Sequence, residues 1–407
     1  MTDFFLTRLL DYITKFKVSY DRAFNIVSKR YKPPKWLYNT FYKIGYYIVL
    51  NYYGLRWLAA RKGFGKRPIA MITYFRSIGY SVRRLEHILE KEVEGLTTIK
   101  RLSIRYSYPE YIIRDLMGRL ESIDELEQYL RKLNERKTWL RVNLLKGSIN
   151  DAISCLKRNY VDIERDSKLG YMLYVRRPLW IKPGKLDCFH KGLVIPQDIA
   201  SAYVVEVFNK LEGDGVYLDT CSAPGVKLGL LFMLDNSIYM VVAVDKSWKR
   251  LNSLKKLARL QNIPGYKLSI IHGDSASLAY PRIFMKALVD APCSGSGSIP
   301  SDPGVKIALA RKNKLYYYTE LQKKILANTL RYAKRVVYAV CSIHPAEGEE
   351  VIEYFVNKGV AEPVEVDIKL PKAYHGYRVS DKTYRTYPHR NRSQGFYIAV
   401  LERKRAL

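Results

Sequence analysis

Histidine and cysteine are scarce in this chain, with six and five among 407 residues. The cysteines, Cys155, Cys188, Cys221, Cys293 and Cys341, are odd in number and widely spaced. No disulfide framework is therefore expected, and a reducing compartment is. No two of them have C-x-x-C spacing and the histidines are too few to complete a zinc site, so no metal is expected either. Glycine and proline, 24 and 17, are too few for a fibrous or disordered class, and no repeat of twenty to fifty residues is evident. The start MTDFFLTRLLDYITKF lacks the basic, apolar and small-residue segments of a signal peptide, and a cytoplasmic protein is expected. Long apolar runs are missing as well. The nearest approach, WLYNTFYKIGYYIVLNYYGLRWLAA, is broken by Asn39, Lys43, Gly45, Asn51 and Arg56. Its aromatics are scattered along its length, so a buried helix is expected and a membrane span is not.

Acid is missing where it matters most. The 69 Lys and Arg against 39 Asp and Glu give a net charge of +30. Between Arg22 and Leu85 there are fourteen Lys or Arg and no Asp or Glu. Such a segment repels itself unless it meets negative charge, which makes a nucleic acid the expected partner.

Punctuation and periodicity divide the rest. Residues 1–97 read as a basic all-helical domain, with helices over 3–16, 19–30, 36–60 and 80–91 and breaks at Pro33-Pro34 and GFGKRP. Residues 98–190 read as a small α+β domain, in which strands at 138–145 and 171–181 bracket the helical SINDAISCLKRN. Residues 191–407 read as a doubly wound α/β sheet whose strands include VYLDT, YMVVAVD, KLSIIHGD, KALVDAP and RVVYAVCS. Ligands of such a sheet lie at the carboxyl ends of its strands.

Those ends carry the chemistry. The first strand-to-helix turn, Cys221, Ser222, Ala223, Pro224 and Gly225 followed by Lys227, is neither a dinucleotide fingerprint nor a phosphate loop. A pocket for a nucleoside and an amino acid fits it better. Asp245 closes the next strand, where a carboxylate receives ribose hydroxyls, and Arg250 on the following helix is assigned to the same pocket. Asp274 closes a third strand and is assigned to an adenine edge; each acid alone reads equally well as a structural cap. Asp290 and Cys293 share the turn VDAPCSGSGSIPSDP, and Cys341 lies at another strand end, from which both thiols can reach one crevice. Cys293 alone also reads as an inert turn thiol. Residues 306–335 read as one basic helix carrying Lys306, Arg311 and Tyr316 to Tyr318, fit to track phosphate and stack an unpaired base.

LDTCSAPGVK, VDAPCSGSG and AVCSIHPAEGE, in this order and with the closing GFYIAVLERK, resemble the motifs of the NOL1/NOP2/Sun RNA cytosine-5 methyltransferases. The likeness extends to SYPEYIIRDLM, LNERKTWLRVNLLKG and GLVIPQDIAS. It implies a Rossmann-like class I methyltransferase core, an RRM-like domain before it, a NusB-like helical start, and S-adenosylmethionine as cofactor. It further implies Cys341 as nucleophile at cytosine C6, Cys293 as the residue assisting release, Asp290 at N3 and Lys227 beside it. Ribosomal RNA is the substrate expected from the helical start, transfer RNA the second, and a monomer of archaeal origin is the default. DNA cytosine methylation uses the same ring chemistry, and a non-catalytic RNA-binding assembly factor is the other alternative. Two departures stand in the cofactor turn: Val226 where the family usually has a second glycine, and Leu228 where it has Thr or Ser. Val226 cannot comfortably take a left-handed conformation, so the turn must differ or use ordinary angles there. His344 beside the second cysteine motif is also unusual, and reads as a surface loop residue or as a group that tunes Cys341.

Overall fold

Alternation of apolar and polar text at a period near 3.6 becomes nine α-helices between Thr2 and Asn134 in a computed structural model that describes residues 1–404. These helices form one compact unit, Met1–Glu135, joined by Ser294–Leu315; the second unit takes Arg136–Cys293 and the chain from Tyr316 onward. The division falls at Glu135/Arg136 and not near the expected joints at 97/98 and 190/191. The helices Thr98–Tyr106, Glu110–Leu116 and Ile123–Asn134 pack with those before them, so helical text follows helical text into one core.

Inside the helical unit the aromatics interlock. Phe5 stacks on Phe41 at 5.1 Å and meets Phe24 edge-on at 5.5 Å, and all three are buried. Gly45 marks a close helix crossing, since a Cβ there would come 2.7 Å from both Leu9 and Tyr20. The expected single helix over 36–60 is two, Tyr38–Leu50 and Tyr52–Arg61. The break has its own hydrogen-bond partners. Ser107 Oγ accepts from the Tyr53 and Gly54 N–H groups at 2.7 and 3.3 Å, and Lys306 Nζ donates to the Leu50 carbonyl at 2.9 Å. Lys306 also donates to the Tyr106 carbonyl at 2.7 Å and lies over the Tyr108 ring. It is fully buried and joins two helix carboxyl ends, where a cation is favoured, so it is not available to track phosphate. By contrast all fourteen Lys and Arg between residues 22 and 85 are exposed. Sequence reading passes over the helix Pro68–Ser77, which opens with proline at its first position, where no N–H is needed. No helix among the described residues is long and apolar enough to cross a membrane.

The second unit holds two sheets. Four strands, β1 (Trp139–Val142), β2 (Asp162–Arg165), β3 (Met172–Arg177) and β4 (Val194–Pro196), pair antiparallel in the order β2-β3-β1-β4. Eight more form the doubly wound sheet: β5 (Val216–Asp219), β6 (Met240–Asp245), β7 (Leu268–His272), β8 (Phe284–Asp290), β9 (Ala333–Val340), β10 (Ala361–Pro363), β11 (Tyr384–Thr386) and β12 (Phe396–Arg403). Their order is β10-β12-β9-β8-β5-β6-β7, with β11 on β12. Strands β5 to β9 are parallel, β12 runs against β9, and the order reverses between β5 and β8, the switch point at which open α/β sheets bind ligands. The expected basic helix over 306–335 is instead a short helix Gly304–Ala308, the long helix Lys312–Tyr332, and the start of β9.

The cysteine reading needs one correction. Cys155, on the helix Ile149–Arg158, and Cys188, on the short helix Asp187–His190, form a disulfide with Cα atoms 5.8 Å apart. Both are fully buried in the core of the small sheet, beside Leu140, Leu156 and Leu173. Their separation of 33 residues carries no motif, so only packing of the two helices reveals the pair. Closing a loop of that length stabilises by about 3–4 kcal/mol in the chain-entropy account. The Cys155→Ser/Cys188→Ser protein should therefore unfold at clearly lower guanidinium chloride than wild type, and wild type held in reductant should follow it. Coincident unfolding curves would assign the bridge no role in stability.

Candidate active site

The turn after β5 is built around one glycine. Gly225 takes φ +96° and precedes the helix Val226–Leu234, and a Cβ at this position would press on Leu254 at 3.1 Å. Val226 opens the helix at ordinary angles, so the β-branched residue is accommodated without a left-handed conformation. The turn is pinned to its neighbours through Ser222 N–H to the Val244 carbonyl at 2.9 Å and Gly225 N–H to the Ser222 carbonyl at 2.8 Å. Asp219, Cys221, Ser222, Ala223, Pro224, Val226, Lys227 and Asp290 line one cavity at the switch point.

Three buried side-chain oxygen atoms in this region lack hydrogen bonds. Asp219 Oδ1 and Ser222 Oγ have no hydrogen bond, and Asp245 Oδ2 lies 3.2 Å from Arg250 Nη1 without one. Orphaned acceptors of this kind call for donors, and a ligand carrying an ammonium group and ribose hydroxyls supplies them. Burial, helped by the charge of Asp290, pushes the Asp219 carboxyl up to about 7. Asp245 is buried at the end of β6, and its other oxygen accepts from Ser247 N–H at 2.8 Å. Arg250 also donates to the Ala223 carbonyl, joining Asp245 to the turn. Asp274 follows β7, where the Lys246 ammonium at 2.6 Å holds its carboxyl below the usual range. Cys221 is partly buried, and desolvation together with the nearby Asp219, Asp290 and Asp245 pushes its thiol far above the ordinary value, which disfavours the thiolate.

Strands β8 and β9 set the second half of the site. They are parallel neighbours, with Asp290 opposite Ala339, and Ala291 N–H donates to the Ala339 carbonyl at 2.9 Å. Cys293 Sγ and Cys341 Sγ lie 3.1 Å apart, neither in a disulfide and both partly exposed. Lys227 Nζ is 2.7 Å from Asp290 Oδ2 and stands over the Phe396 ring. The structure thus brings Cys341, Cys293, Asp290, Lys227 and the turn after β5 to one end of the sheet.

Sequence reading missed what supports the thiols. Gln322, buried on the helix Lys312–Tyr332, donates to the Pro292 carbonyl at 2.9 Å and to Glu347 Oε1 at 3.1 Å, tying one cysteine turn to the other. Glu347 Oε2 in turn accepts from Ser342 Oγ at 2.6 Å. Arg385 donates to the Ser342 carbonyl at 2.7 Å and forms a two-bond pair with Glu349, the partners being 1% and 0% exposed. Gln322 and Arg385 lie in ordinary helical and strand text with no motif to mark them. His344 is buried, not a surface loop residue. Its Nδ1 accepts from Ala346 N–H at 3.1 Å and so caps the turn after Cys341.

Comparison with known proteins agrees with this geometry. A family model described as 16S rRNA methyltransferase RsmB/F matches residues 206–402. The tRNA (cytosine(49)-C(5))-methyltransferase of Pyrococcus abyssi is 28% identical over 308 residues, 72% of this chain and 97% of the relative. A probable ribosomal RNA small subunit methyltransferase B of Coxiella burnetii is 26% identical over 77% of this chain and 72% of its own. In fold, the crystal structure of PH0851 superposes with a TM-score of 0.76 at 22% identity, covering 99% of both chains. A methyltransferase homologue from Pyrococcus horikoshii gives 0.63 at 21% identity, covering 76% of this chain and 99% of its own. Ordered motifs, sheet topology and relatives lead to one conclusion: the chain belongs to the NOL1/NOP2/Sun, RsmB-like family of S-adenosylmethionine-dependent RNA cytosine-5 methyltransferases.

Proposed function

We propose that the protein methylates C5 of a cytosine in ribosomal RNA through a covalent adduct on Cys341, with Cys293 assisting its release. The observation that carries the reading is the 3.1 Å separation of the two thiols at the ligand-binding end of the sheet, beside an acid held by a lysine. C5 of cytosine is too weak a nucleophile to act alone. Addition of the Cys341 thiolate at C6 turns the ring into an enamine, whose electron pair is directed to C5. Asp290, held by Lys227, faces the N3 edge and stabilises the charge that builds there. S-adenosylmethionine supplies, when bound, the sulfonium methyl that C5 takes. Loss of the C5 proton then returns an electron pair to the ring, the bond from C6 to Cys341 breaks, and aromaticity is restored. Cys293 stands next to the departing sulfur, where it can take part in that last step.

Fourteen exposed Lys and Arg without an intervening acid support an RNA partner. A duplexed cytosine must leave its stack to reach two thiols at a sheet end, which favours a loop or locally opened RNA. The second reading, transfer RNA, is favoured by the Pyrococcus abyssi relative, which this chain matches over 97% of that protein's length.

Labelled methyl offered with total RNA lacking its native modifications should appear as 5-methylcytosine in ribosomal RNA with wild type and in no RNA with Cys341→Ala. Cys293→Ala should instead retain a trapped protein–RNA adduct, resolved by gel. Label confined to transfer RNA would select the second reading, and label that survives in Cys341→Ala would overturn the nucleophile.

Asp290→Asn should lower kcat about a hundredfold or more, the usual scale for loss of one preorganised electrostatic partner. Lys227→Met should do likewise while leaving the KM for RNA within about threefold, because the interaction matters most as charge builds. A change confined to KM in steady-state kinetics would move both residues from the chemistry to substrate binding.

A further inference from the structure

Gln261 follows the helix Trp248–Leu260 and is fully buried, yet it touches neither thiol nor acid of the site. Both ends of its amide are engaged. Oε1 accepts from Arg141 Nη2, and Nε2 donates to the Gly225 carbonyl at 3.1 Å. The main chain of Gln261 is fixed as well, since its carbonyl accepts from Asn143 Nδ2 at 3.1 Å. Arg141 lies on β1 of the four-stranded sheet, is 0% exposed, and donates through Nε to Gln197 Oε1 at 2.7 Å. Burial pushes its guanidinium down to about 9, so it remains a cation at neutral pH.

A glycine makes room for this contact. Gly229 lies one turn into the helix Val226–Leu234, and a Cβ there would overlap Oε1, Cδ and Nε2 of Gln261. The empty position lets the amide reach the carbonyl of the one left-handed residue in the turn. That carbonyl also accepts Gly229 N–H at 3.1 Å, so its orientation is fixed from two directions. Val226 restricts the next residue to ordinary angles, and the turn is left with a single arrangement before any ligand arrives. Preorganisation of this kind lowers the ordering cost of binding.

We infer that Gln261 is a positioning residue for S-adenosylmethionine binding, its amide holding the Gly225–Val226 peptide in place while Arg141 anchors it to the four-stranded sheet. The role rests on this turn being the cofactor site. Arg141 donates to Gln197, to Gln261 and, at 3.5 Å, to Met233 Sδ farther along the helix, so its hydrogen-bonded link to the Gly225 carbonyl runs through Gln261. Gln261→Glu separates the two functions: it keeps an acceptor for Arg141 and sets a carboxylate, not a donor, against the Gly225 carbonyl.

Calorimetric titration with S-adenosylhomocysteine of the full chain as wild type, Gln261→Glu, Gln261→Leu and Gly229→Ala tests this, with steady-state kinetics in S-adenosylmethionine beside it. All three variants should bind about tenfold more weakly or worse. The KM for S-adenosylmethionine should rise in step, with kcat at saturation within about twofold of wild type. If Gln261→Leu fails to fold, the other two decide. Wild-type affinity in Gln261→Glu and Gly229→Ala, even with lower melting temperatures, would overturn the positioning role and leave a purely structural contact. No binding by wild type itself would instead overturn the reading of the turn as the cofactor site.

Discussion

The site depends first on the parallel pairing of β8 with β9. Two turns whose cysteines are 48 residues apart in sequence meet at 3.1 Å because the strands that deliver them lie side by side and end level. Both are inner strands, and their central residues Ala287, Leu288, Val289 and Val336 to Val340 are buried. Strands of that kind are held by apolar packing on both faces, which fixes their register. A slip of one residue would turn each side chain to the opposite face and separate the thiols. The same pairing sets Asp290 against Ala339, one strand away from the helix that presents Lys227.

Parallel strands bring two turns together; a buried polar framework keeps the turns in shape. The Arg385–Glu349 pair is almost wholly out of water, and such a pair is not in itself a large source of stability, because desolvation offsets much of the attraction. What it supplies is geometry. Arg385 has a further N–H for the Ser342 carbonyl, and removing either partner would leave a buried charge unmatched next to Cys341. Gln322 does the analogous work without charge, reaching the Pro292 carbonyl and Glu347 from one amide. The two thiols are thus positioned by residues of two helices and one strand: Gln322 on Lys312–Tyr332, Glu349 at the start of Glu349–Asn357, and Arg385 on β11.

Much of this is legible in the amino-acid sequence. The sheet can be read because its strands end in motifs, Asp219, Asp245, Asp290 and Cys341 each marking where an apolar run stops. The order of those motifs in turn identifies the family. Fourteen basic residues without an acid read as surface, and all fourteen are exposed. What stays hidden depends on contacts between distant segments. The pairing of Cys155 with Cys188 follows from the packing of two helices, and nothing in a spacing of 33 residues announces it. Lys306 looks like one more cation of a basic helix, but the segment that carries it enters the helical unit and buries it against two helix carboxyl ends. Charge in a sequence gives no direction; only the fold says which cations face solvent.

Val226 and Leu228, the two departures in the turn after β5, are accommodated by its local geometry. Two adjacent glycines would leave the turn free to sample several conformations, and each must be given up on binding. Here one glycine remains, at the only position in the turn with positive φ, and Val226 begins the helix directly. Leu228, where the family has a hydroxyl, is fully buried and contributes packing in place of a hydrogen bond. Polar support for the turn comes instead from Arg250 at the Ala223 carbonyl and from Gln261 at the Gly225 carbonyl. Bonds from residues that follow β6 thus fix two carbonyls of the turn, by side chains that a motif comparison does not include.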